Sequence, residues 1–140
     1  MGLGFRYLND DAGGRQSSTG AFAYQRISRY FYAPLGIEMA NQLSSNLLLG
    51  AMTEFDIFLW GRQSSNLSDV DPSFPDLQND QEKGFGLRGS FKFVFQNEKT
   101  NYIVEPFVRY WHIKNSNLNS FGLEPDNNTT EYGVKLGAQF

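Results

Sequence analysis

The chain has no cysteine and one histidine, His112. The first absence removes disulfides and thiol chemistry without fixing a compartment. No stretch approaches about 20 consecutive apolar residues, which excludes a transmembrane helix. That exclusion does not bear on a β-barrel, whose strands alternate and average to a polar hydropathy. An excess of positive charge is also missing: the net charge is −3, which argues against an electrostatic nucleic-acid binder. No catalytic set, metal site or cofactor cradle stands out, and no cofactor is expected.

What is present is aromatic. There are 13 Phe, 7 Tyr and 2 Trp among 140 residues, together with 14 Gly. Many aromatics and glycines without a long apolar run point to β-structure, here in one domain over 1–140.

Period-two alternation is the main signal. In 47–61 the odd positions Leu47, Leu49, Ala51, Thr53, Phe55, Ile57 and Leu59 are mostly apolar, whereas Glu54 and Asp56 lie on the other face. In 83–95, Phe85, Leu87, Phe91, Phe93 and Phe95 oppose Arg88 and Lys92. In 102–113, Tyr102, Val104, Val108 and Tyr110 oppose Glu105 and Arg109. The run 2–8 sets Leu3, Phe5 and Tyr7 against Arg6, and 27–39 sets Phe31, Leu35, Ile37 and Met39 against Glu38. These patterns predict an all-β, antiparallel up-and-down barrel with strands near 2–9, 21–40, 47–62, 82–96, 102–114 and 129–140. Several runs exceed the roughly 9–11 residues a tilted strand needs to cross a bilayer. Pro34 and Pro106 each lack a ladder donor and are expected at an edge or a bulge. The linkers 41–46 and 97–101 are short; those at 9–22, 63–81 and 115–129 are long and polar. Short turns at one end and long loops at the other fit a membrane barrel. A water-soluble, lipocalin-like barrel is the rival, and its apolar face would point inward.

The last eleven residues alternate without a break. Tyr132, Val134, Leu136, Ala138 and the terminal Phe140 oppose Glu131, Gly133, Lys135, Gly137 and Gln139. This segment resembles the C-terminal signature strand of outer-membrane β-barrel proteins. The resemblance implies recognition by the barrel-assembly machinery through Tyr132, Val134, Leu136, Ala138 and Phe140. The phrases Gly4-Phe5-Arg6-Tyr7-Leu8-Asn9-Asp10-Asp11 and Glu105-Pro106-Phe107-Val108-Arg109-Tyr110-Trp111 also resemble the C-terminal part of the small porin-like barrels of Gram-negative bacteria. So does Glu124-Pro125-Asp126-Asn127-Asn128-Thr129-Thr130-Glu131. The resemblance implies an outer-membrane location, contact with outer-membrane lipid and no defined chemistry. Six strands fall short of the about eight that bacterial barrels need. The N-terminus lacks an export signal and starts inside a strand. The expectation is an N-terminally truncated barrel of about eight to ten strands.

Parity places Arg6, Arg88, Lys92, Arg109 and Lys135 on the inner face with Glu38, Glu54, Asp56, Glu105 and Glu131. Such charges must pair in a narrow barrel, because an isolated buried charge is costly. Glu54 or Asp56 is expected near Arg88 or Lys92, with Glu105 shared among the same cations. The reading is a structural or porin-like barrel with a salt-bridged, occluded lumen; a charged pore lining is the alternative. Two other functions compete. One is an adhesion or ligand-binding surface protein acting through its long loops. The other is a lipid-modifying enzyme, which would need His112 to meet a serine such as Ser116 and an acid such as Glu105. His112 is otherwise a girdle residue beside Tyr110 and Trp111. The loop acids Asp69, Asp71, Asp76 and Asp80 do not match a calcium loop and are read as solvated. The sequons at Asn66, Asn127 and Asn128 carry no meaning in a bacterial protein.

Overall fold

The computed structural model describes residues 2–118 and 122–140, so residues 119–121 of the loop expected at 115–129 lie outside it. The strands are β1 (Gly4–Asp10), β2 (Arg26–Ser44), β3 (Leu47–Ser65), β4 (Leu77–Gln81), β5 (Gly84–Phe95), β6 (Asn101–Ile113) and β7 (Asn127–Gln139). All pairings are antiparallel, in the order β1-β2-β3-β5-β6-β7, with β4 also on β3. No α-helix occurs among the described residues; the one helical turn is a short 3-10 segment, Leu67–Asp69. The sheet is an up-and-down meander that curls on itself as a half-barrel.

Four details differ from the sequence-based expectation. The described residues form seven strands, because β4 lies inside the loop expected at 63–81. It continues β5 along β3 in an unbroken register, interrupted only at Glu82 and Lys83. The second strand starts at Arg26, not near residue 21, and runs on to Ser44. The turn expected at 41–46 therefore shrinks to Ser45 and Asn46. Pro106 sits at neither an edge nor a bulge, and the bulge lies elsewhere. Phe31 pairs with Trp60 but Tyr32 pairs with Phe58, so Leu59 is the extra residue. That bulge flips the parity of β3 and turns Gly61, Gln63 and Ser65 inward. Pro106 instead breaks the β5–β6 ladder: pairing stops at Ser90–Phe107 and resumes in the same register at Phe93–Val104. Pro34 pairs with Asp56 where β2 has run past the end of β1, which is the edge position expected for it.

The polarity of the sheet is inverted relative to a water-soluble barrel. Among the described residues five hydrophobic side chains are buried, against ten polar or charged ones. Phe55, Phe91, Val108, Val134 and Leu136 are exposed on the convex face, and Leu49 is half-buried there. The concave face carries the ten charges that parity assigned to it.

Candidate functional site

The concave face is built in three tiers. The tier nearest the short turns is charged, the middle tier is aromatic and the tier under the long loops is polar.

All ten charges that parity placed inside take part in ion pairs. Arg109 bridges Glu54 at 3.0 Å and Asp56 at 3.2 Å. Arg88 bonds Glu105 at 2.6 Å, and Lys135 reaches the same carboxylate at 3.4 Å. Lys92 pairs with Glu38 at 2.6 Å. Arg6 pairs with Glu131, which ties the two edge strands together across the trough. The Arg88–Glu105 pair is the expected one; the partners of Glu54, Asp56 and Lys92 are not. Glu54 stands directly opposite Arg88 in register, yet it binds Arg109 from β6. Lys92 turns away from Glu54 and Asp56 to Glu38 on β2. Curling explains the exchange, because long inward side chains can reach past the neighbouring strand. Asp56 is fully enclosed and sits against Gly86, where a Cβ would stand 2.7 Å from its Oδ2 and 3.1 Å from the Trp111 ring. Only glycine leaves both groups their places.

The aromatic tier is Tyr30, Tyr32, Phe58 and Trp111, joined by Ile113. Trp111 is 0% exposed, so it belongs to this interior and not to a girdle beside His112. It packs edge-on against Tyr32 at 5.0 Å, and Tyr30 meets Phe58 at 5.6 Å. Arg6 and Arg109 lie over the Trp111 ring, each 5.5 Å from its centre, which welds the aromatic tier to the charged one. The signal for Trp111 was present: it shares parity with Glu105 and Arg109. One open space in the trough, of about 370 Å³, is bordered by Tyr32, Glu54, Arg88, Arg109, Glu131 and Lys135 among others, and another of about 160 Å³ lies between Glu38, Lys92 and Glu105.

The polar tier closes the loop end. Ser28 bonds Gln63, Gln81 Nε2 donates to the Lys114 carbonyl at 3.0 Å, and Asn79 Nδ2 donates to Ser116 Oγ at 3.3 Å. Ser116 Oγ also accepts from the Glu124 amide at 2.9 Å, and Glu124 pairs with Arg26. Burial pushes the Glu124 carboxyl above its ordinary value, against the pull of Arg26.

The remaining candidates do not assemble. His112 lies on the convex face beside Phe85, with its Nδ1 2.8 Å from Asn128 Oδ1. Ser116 faces the polar tier and Glu105 the concave face, so the three form no triad. Among the described residues no cluster of three or more His, Asp or Glu is placed to hold a metal. The loop acids are each tied locally. Asp69 accepts from the Gln25 amide at 2.9 Å, and Asp80 holds Arg62. Asp76 accepts from the Ser68 hydroxyl and amide at 2.7 and 3.1 Å, and Asp71 accepts from the Ser73 amide at 2.8 Å.

These bonds hold Asp76 and Asp71 below the usual carboxylate value of 3.8. A depressed carboxyl contributes its stability above that value and loses it as pH falls through the lowered one. The Ser68 amide resonance is therefore expected to shift with a midpoint below pH 3.8. Asp76→Asn should abolish the titration, and a midpoint at or above that value would contradict the assigned bonds.

Compared with known proteins, the chain matches no protein-family model and no curated protein sequence.

Proposed function

We propose that this chain belongs to an outer-membrane β-barrel of structural or porin-like type, with an interior locked by ion pairs and long loops at the cell surface. The observation that carries the reading is the inverted polarity: among the described residues, ten buried polar or charged side chains against five buried hydrophobic ones, with an apolar convex face. A convex apolar surface of this extent is unfavourable in water and is satisfied by lipid. β1 and β7 are the two edges of the sheet. They leave room for the further strands of a barrel of about eight to ten. β7 presents Tyr132, Val134, Leu136 and Ala138 on its outer face, followed by Phe140, as a strand read by the assembly machinery would.

The interior argues for occlusion. Inward charges are matched, and Arg6 and Arg109 pack over the aromatic tier and project into the trough. Full-length protein in planar bilayers is expected to show no large steady current. Large, weakly selective currents would make it an open porin and overturn the occluded reading.

A further inference from the structure

Two arginines stand opposite each other on the convex face at the loop end. Arg29 of β2 and Arg62 of β3 are direct cross-strand partners, an arrangement that repels. Arg62 has a counterion: its Nε and Nη2 donate to Asp80 at 2.7 and 3.0 Å. Arg29 has no carboxylate within ion-pair distance among the described residues, and its Nη1 reaches only Ser64 Oγ, at 3.4 Å. The site thus holds two cations and one anion.

Both guanidiniums rest on rings that mark the upper rim of the apolar face. Arg29 lies 5.8 Å from the centre of Tyr7, and Arg62 lies 5.2 Å from that of Trp60. Beneath them Phe5, Phe31 and Trp60 form a row, with centroids 4.9 and 5.8 Å apart. Phe31 is 45% exposed and begins the apolar surface below. A ligand suited to this spot carries negative charge at its head and hydrocarbon beneath it. Guanidinium groups bind phosphate oxygens through charge-assisted bonds. Asp80 occupies one edge of Arg62; the Nη1 edge, the Arg29 head and the Ser64 hydroxyl remain to receive a phosphate.

We propose that Arg29, Arg62 and Ser64 form a binding site for the phosphate of an outer-leaflet lipid, an inference that rests on the membrane reading above. A free phosphate shares the headgroup chemistry but gains nothing from the apolar rim. Detergent-solubilised protein would be titrated with lipid A, with lipid A stripped of phosphate and with inorganic phosphate, and bound ligand counted by native mass spectrometry. Lipid A is expected to bind, and its dephosphorylated form to bind far more weakly. Arg29→Gln should weaken lipid A binding about tenfold, whereas Asp80→Asn, which removes the one repelling charge, should strengthen it. Unchanged lipid A binding in both Arg29→Gln and Arg62→Gln overturns the site. Inorganic phosphate binding as tightly as lipid A overturns the lipid source. Co-sedimentation with phosphatidylcholine vesicles reads the membrane assignment separately. Vesicle association without Arg29-dependent binding refutes this site alone; Arg29-dependent binding without vesicle association refutes the membrane reading.

Discussion

Arg109→Ala is expected to destabilise the fold by about 3–5 kcal/mol. Arg109 is the shared counterion of Glu54 and Asp56, and Asp56 is fully enclosed. Removing the guanidinium strands Asp56 where water does not reach it, and leaves Glu54 unpaired at the edge of the open trough. It also removes a cation from the faces of Tyr32 and Trp111. Equilibrium unfolding by urea from detergent micelles measures the loss. The control is the triple change Arg109→Met with Glu54→Gln and Asp56→Asn. A network that costs as much to bury as it returns should recover most of the stability when neutralised as a whole. A loss below about 1 kcal/mol in the single variant, the range of an exposed ion pair, would show that Arg109 is not holding buried charge.

The neighbouring residue tests the opposite face. Val108→Arg is expected to cost about 2–4 kcal/mol in a bilayer, the penalty for a cation near the middle of a lipid-facing strand. Val108 pairs with Gly89 on one side and Tyr132 on the other, and is half exposed on the convex face. In a water-soluble protein a substitution there would lie within about 0.5 kcal/mol. The two expectations differ enough for one folding titration in lipid vesicles to separate them. A neutral effect would place the convex face in water.

The strands were readable because charge and hydrocarbon alternate at a period of two over many residues, as in 47–57 and 130–140. β4 was not readable, because Leu77-Gln78-Asn79-Asp80-Gln81 shows no apolar alternation; its hydrogen bonds to β3 make it a strand. The bulge at Leu59 was hidden for a related reason. Phe58, Leu59 and Trp60 are all apolar, so the change of parity leaves no mark on the pattern. Inward charges were identifiable one by one, since the face follows from parity. Their partners were legible only in part: Arg88 meets Glu105 as neighbouring strands suggest, but Glu54 and Asp56 do not meet Arg88 or Lys92. Register puts Glu54 beside Arg88, but the curl of the sheet brings Arg109 across, and pairing then follows side-chain reach. Tyr30, Tyr32 and Trp111 share parity with the inward charges. The aromatic tier was therefore present in the alternation, obscured by the habit of assigning aromatic residues to the outer belt.

The two tryptophans give the most direct test of the claim that the convex face meets lipid. Trp60 lies on the convex face and Trp111 is fully enclosed on the concave one. Two variants, Trp111→Phe and Trp60→Phe, leave one reporter each. Both would be folded into vesicles containing brominated phospholipid, which quenches indole fluorescence on contact. The expected result is strong quenching of Trp60 with Trp111 almost unaffected. Quenching of Trp111 with Trp60 untouched, or of neither in a chain that stays in water, would contradict the account.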